Sequence, residues 1–160
     1  MSRQPARPLD RLIPDPHLWG ALLAPLGVWG WLWSQGGGEH FQPGWILIHP
    51  GIFLGQALLY PVLEELVFRG MMQGGLKRIK RLQTPLLATL LTPANLLTSI
   101  AFSMAHLYLR DPWTGLMVFF PSLLFGHFRD RYNHLAPSIG LHILFNAGYF
   151  WLFFNPATFG

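Results

Sequence analysis

The sequence contains no cysteine. A disulfide scaffold, a zinc ribbon and a thiol nucleophile are therefore excluded. Charge is also scarce. Asp, Glu, Lys and Arg make up 11% of the 160 residues, against roughly 25% in an ordinary soluble domain. That is too little to coat a soluble globule of this size. At 51% hydrophobic, the chain is also too apolar to be disordered. Acidic residues are the scarcest charge, 7 against 11 basic ones, which leaves a net charge of +4. The basic residues are read as membrane orientation signals, so no nucleic-acid partner is expected. Repeats and low-complexity tracts are absent as well.

What is present is long uncharged sequence. Runs without Asp, Glu, Lys or Arg cover 16–38, 40–63, 82–109, 112–128 and 132–160. A membrane-crossing helix needs about 20 mostly apolar residues. Trimming at Gly, Pro and polar residues gives five candidate spans: Leu18–Trp33, Trp45–Phe68, Pro85–Leu109, Trp113–Phe128 and Leu135–Phe154. The runs do not alternate with period two, which argues against a β-barrel. Trp19, Trp31, Trp33, Trp45, Trp113 and Trp151 lie near span ends, where an interfacial belt would place them. The expected fold is all-α, a polytopic helical membrane bundle of about five transmembrane helices. Residues 1–17 are expected to form a cytoplasmic tail, and 18–160 a single transmembrane domain. No small-x-small cleavage site follows Trp33, so the first span is expected to be an uncleaved anchor.

Setting Arg69 aside, alternate connections carry nine Lys and Arg on one side and one on the other. The positive-inside rule then puts the N-terminus in the cytoplasm and the C-terminus outside. Gly70–Gln83, which mixes apolar and basic residues, reads as a cytoplasmic connection or a short surface helix.

Charges inside the apolar runs carry the functional signal. Glu64 and Glu65 interrupt the second span, and a carboxylate at mid-bilayer costs about 2.5–3.5 kcal/mol. Arg69 lies four residues after Glu65, on the same helix face, so the two can pair. Glu64 points about 100° away. This suggests a division of labour in which one carboxylate does chemistry while the other orients the helix; the competing reading has both solvated at the cytoplasmic boundary. His106 lies in the third span. His142 and Asn146 share a face of the fifth. Each alone reads most simply as an interhelical hydrogen-bonding residue. Together they suit activation of a water and stabilisation of an oxyanion, or a Glu64/His106/His142 zinc site. His17, His40, His49, His127 and His134 read as interfacial or solvated.

EELVFRG at 64–70, FSMAH at 102–106 and HILFN at 142–146 resemble, in that order, the CPBP (CAAX protease and bacteriocin-processing) family. These are glutamic-type intramembrane endopeptidases related to the Rce1 prenyl-protein protease. The family pattern, Glu-Glu-x-x-x-Arg, Phe-x-x-x-His and His-x-x-x-Asn, is met without substitution. The resemblance covers about Tyr60 to Asn146, in a chain shorter than the larger members. It implies that Glu64 is the base that activates water and that His106 is its partner. It implies an oxyanion pair in His142 and Asn146, and a supporting pair in Glu65 and Arg69. A metal-free mechanism without cofactor is expected ahead of zinc, since no HExxH-type pair supplies two ligands from one helix.

The expected activity is an intramembrane endopeptidase in a lipid bilayer, cutting membrane-anchored proteins or peptides near a terminus. A C-terminal sorting tag in a prokaryotic inner or plasma membrane is favoured over a leader or a CAAX-like tail. The rivals are a proton-coupled transporter subunit that titrates Glu64 and His142, and a non-catalytic relative that presents a partner. One feature resists the enzymatic picture. Straight spans of equal length would put Glu64 and His106 at different depths. Either the third span breaks near Thr92-Pro93-Ala94, or the second continues past Arg69 to Gly74-Gly75.

Overall fold

The structure, a computed structural model, describes residues 9–86, 91–109 and 112–155. Helical geometry covers 82% of the described residues, and no strand forms among them. The main helices are α1 (Pro16–Leu32), α2 (Pro50–Leu76), α3 (Pro93–Leu109), α4 (Pro112–Met117), α5 (Phe119–Tyr132) and α6 (Ala136–Phe153). Among the described residues, one helix, α2, is long and apolar enough to cross a membrane. Only 17% of its most apolar stretch is buried within the protein. Leu54, Leu58, Leu63, Val67 and Met71 remain exposed along it, as lipid-facing positions would be.

Local chemistry explains the boundaries. Asp15 caps α1 by accepting from the His17 amide at 3.0 Å, and Pro16 occupies the first helical position. The helix then widens over Trp33–Gly37 and turns at Gly36, whose φ of 89° favours glycine. The expected second span does not start at Trp45. A single turn, Trp45–Ile48, ends at His49 (φ −124°, ψ 55°), and α2 begins at Pro50. The residue before a proline is pushed out of the α region, which accounts for the break. Pro61 lacks an N–H, and its ring crowds the carbonyl four residues back. Just ahead of it the helix widens over Gly55–Leu59, and the Tyr60 amide bonds to the Gly55 carbonyl.

The other expected boundaries shift too. α2 runs on past Phe68 to Leu76, taking up the first half of Gly70–Gln83; a 3-10 turn follows at Lys80–Gln83. Instead of starting at Pro85, α3 starts at Pro93. Residues 87–90 of that expected span lie outside the described residues, as do Arg3, Arg7 and Arg110. The fourth span is interrupted at Val118 and extends to Tyr132, where Asn133 caps it in the left-handed region.

By contacts the chain divides into two compact units. One is built on Leu12–Leu63 and the residues from Gly140 onward. It is held by aromatic packing. Trp45, 1% exposed, lies against Phe154 at 4.5 Å and Phe53 at 5.7 Å. Its indole N–H donates to the Trp151 carbonyl. Trp45 is therefore a core residue rather than the interfacial anchor expected, because its N–H is satisfied internally. Gly148 lies so close to the Trp29 ring that a Cβ there would collide with it.

The other unit is built on Glu64–Ile139. In it α3 packs against α4, α5 and the Leu66–Gln73 stretch of α2. Phe102, Phe125, Phe128 and Tyr132 form its apolar core. Gly126 on α5 faces the Asn95 side chain with no room for a Cβ, so the two helices approach closely. His127, read from sequence as interfacial, is buried here. Its position on α5 turns it inward beside Phe128.

Candidate active site

Glu64, Glu65, Arg69 and His106 all belong to the Glu64–Ile139 unit. Glu65 and Arg69 are fully buried and form an ion pair at 3.5 Å. The Arg69 guanidinium also donates from Nη2 to the Ser122 carbonyl at 2.8 Å and to its hydroxyl at 2.7 Å. It lies over the Phe102 ring at 4.9 Å and the Phe125 ring at 5.9 Å. An arginine held by a carboxylate, two acceptors and two aromatic faces has little freedom left.

Glu64 faces elsewhere. Its Oε1 lies 4.0 Å from His106 Nε2, and the two side chains keep 30% and 20% of their surface exposed. The histidine is oriented from behind. Its Nδ1 lies 3.0 Å from the Phe102 carbonyl. A carbonyl only accepts, so Nδ1 carries the proton, and in the neutral ring Nε2 is the acceptor turned toward Glu64. The Phe102 ring lies against the imidazole at 4.4 Å and meets Phe68 edge-on at 5.0 Å. α2 continues past Gly74-Gly75 to Leu76, and α3 starts at Pro93, within Thr92-Pro93-Ala94.

His142 and Asn146 belong to the other unit. His142 is buried. Asn146 donates from Nδ2 to the Gln56 carbonyl at 3.1 Å, which uses one of its two amide hydrogens. Gln56 lies in the widened stretch ahead of Pro61. Among the described residues, no three His, Cys, Asp or Glu side chains are grouped so as to hold a metal ion.

Phe102, which opens the Phe-x-x-x-His motif, contacts both Arg69 and His106. Other residues around this site lie outside the motifs. Gln73 is fully buried and donates to the Gly126 carbonyl at 3.0 Å and to Asp130 Oδ1 at 2.9 Å. Asn95 donates to the Leu123 carbonyl at 2.9 Å and accepts from Ser99 at 3.1 Å. The available signal is a four-residue repeat. Glu65, Arg69, Gln73 and Lys77 line one face, opposite Ser122, Gly126 and Asp130. An apolar pocket of about 450 Å³ lies between α3, α4 and the start of α5, lined by Ile100, Ser103, Met104, Leu107, Leu116, Met117, Phe119 and Phe120; His106 is not among these residues.

A family model described as Rce1-like, type II CAAX prenyl endopeptidase, matches residues 45–148, more than half of the chain. No curated protein and no solved structure matches.

Proposed function

We propose, since the chain belongs to the Rce1-like family of type II CAAX prenyl endopeptidases, that it cleaves a membrane-anchored protein near a terminus by a metal-free glutamic mechanism. The family is one of integral membrane proteases. The observation that carries the mechanistic reading is the approach of Glu64 Oε1 to His106 Nε2, at 4.0 Å. A water about 2.8 Å from both atoms fits across that gap as their common partner. Glu64 takes one proton from it, and the resulting hydroxide attacks the scissile carbonyl carbon while His106 holds its remaining hydrogen. The carbonyl π bond opens to an oxyanion, whose stabilisation the family resemblance assigns to His142 and Asn146. Collapse restores the carbonyl and breaks the C–N bond. The proton held by Glu64 passes to the leaving amine.

A C-terminal sorting tag in a prokaryotic plasma membrane is the substrate class we favour, ahead of a leader or a CAAX-like tail. Five crossings, an inside N-terminus and a catalytic core at 45–154 belong to the same proposal. The asymmetry of Lys and Arg supports the crossings and orientation.

The test is cleavage of tagged substrates in liposomes by the wild type and by Glu64→Gln, with and without chelator. Cleavage that is lost in the variant and indifferent to chelator supports the proposal. Loss with chelator and recovery with zinc would move the chemistry to a metal. Equal cleavage by both proteins would remove Glu64 as the base.

A further inference from the structure

Asp130 is not part of any of the three motifs, yet its carboxylate joins three segments of the Glu64–Ile139 unit. Oδ1 accepts from Gln73 Nε2 at 2.9 Å and lies 2.9 Å from Lys77 Nζ. Oδ2 accepts from the Thr92 hydroxyl at 2.7 Å. A carboxylate only accepts, so three donors suit it and no neutral side chain of its size replaces it fully.

The donors mark the far ends of the two helices that carry Glu64 and His106. Gln73 lies near the end of α2, the helix of Glu64, and Lys77 follows that end. Thr92 immediately precedes α3, whose last turn holds His106. The same Thr92 hydroxyl accepts from the Asn95 amide at 3.1 Å, which caps α3. One side chain therefore pins the end of the first helix and the start of the second to α5. From there the two helices run to the 4.0 Å gap between Glu64, midway along α2, and His106, in the last turn of α3.

We propose that Asp130 is a positioning residue that sets the register of α2 against α3, and through it the separation of Glu64 and His106. Its kinetic consequence rests on the endopeptidase reading above; its geometric consequence does not. A helix advances 1.5 Å per residue, so a slip of less than one residue spoils a shared water site. A misplacement of about 1 Å can cost about 10²-fold in rate.

The experiment uses the full chain in liposomes and two readouts. For the first, the absence of native cysteine allows spin labels on cysteines at Val67 and Tyr108, both exposed. Thr92→Val removes the hydroxyl that reaches Asp130, whereas Thr92→Ser keeps it. Asp130→Ala removes the carboxylate and leaves the cap on α3 intact. We expect the label distance to shift or broaden in Thr92→Val and Asp130→Ala and to match wild type in Thr92→Ser. The second readout is cleavage. kcat falls about 10²-fold in the first two variants with KM within about twofold, and Thr92→Ser restores it. The double variant is no slower than either single one, because both break one linkage. If Asp130→Ala does not fold, the Thr92 pair decides alone.

An unchanged label distance in Thr92→Val overturns the proposal, whatever happens to the rate. So does a multiplicative loss in the double variant. A shifted distance in a protein that cleaves nothing supports the positioning role and counts against the endopeptidase reading instead.

Discussion

Removing the Arg69 side chain tests the energetic logic of the site most directly. Arg69→Ala leaves the Glu65 carboxylate fully buried without its countercharge. Breaking a buried pair in this way costs about 3–5 kcal/mol. The bonds to Ser122 disappear as well, and the two aromatic faces lose their cation, so the upper part of that range is expected. Replacing both partners by apolar side chains, Glu65→Leu with Arg69→Met, removes both desolvation penalties together. The double variant should then recover at least about 1.5 kcal/mol relative to the sum of the single losses. The assay is reversible unfolding in mixed micelles by titration with a denaturing detergent, followed by far-ultraviolet circular dichroism. A loss below about 1 kcal/mol in Arg69→Ala, the value of an exposed pair, would refute the argument. So would strict additivity of the two single changes. Either result would mean that water reaches the pair and that burial does not dictate its energetics.

Two further expectations follow from backbone and packing. Gly126→Ala places a methyl group against the Asn95 side chain and should cost about 1–3 kcal/mol in the same assay. Asn133 sits at φ 50° and accepts from Arg129 at 3.0 Å. Asn133→Ala should cost about 1–2 kcal/mol, because a Cβ without a local polar partner disfavours that region. Asn133→Gly should stay within about 0.5 kcal/mol of wild type.

The residues most legible from sequence are those that violate their surroundings. Glu64, Glu65 and Arg69 stand out as charges in an apolar run, and helical spacing alone separates the paired carboxylate from the other one. The all-helical class is legible for the same reason, since the uncharged runs lack strand alternation. Span boundaries are less so, because hydropathy does not register backbone constraint. The start at Pro50 and the widening ahead of Pro61 depend on what a proline ring does to its neighbours. Trp45 and His127 mislead in a different way. Their residue types are amphipathic, and whether the polar end meets water or a buried acceptor is decided by distant chain: Trp45 finds its acceptor 106 residues away.

Asp130 is the clearest example of information held only in the fold. In sequence it lies between Arg129 and Arg131 and reads as part of a solvated basic loop. Its partners Gln73 and Thr92 are 57 and 38 residues away, and no local window joins them. Yet the pattern behind it is regular. Glu65, Arg69, Gln73 and Lys77 repeat every four residues, and so do Ser122, Gly126 and Asp130. Each helix presents a polar stripe in an otherwise apolar chain, and the small residue at Gly126 allows the close approach of α5 to α3 that the tie requires. A buried polar group is costly unless it is paired. Two such stripes in one uncharged, membrane-like composition are therefore expected to face one another. The Glu-Glu-x-x-x-Arg motif contributes the first half of one stripe, and in our proposal the second half holds that helix in register.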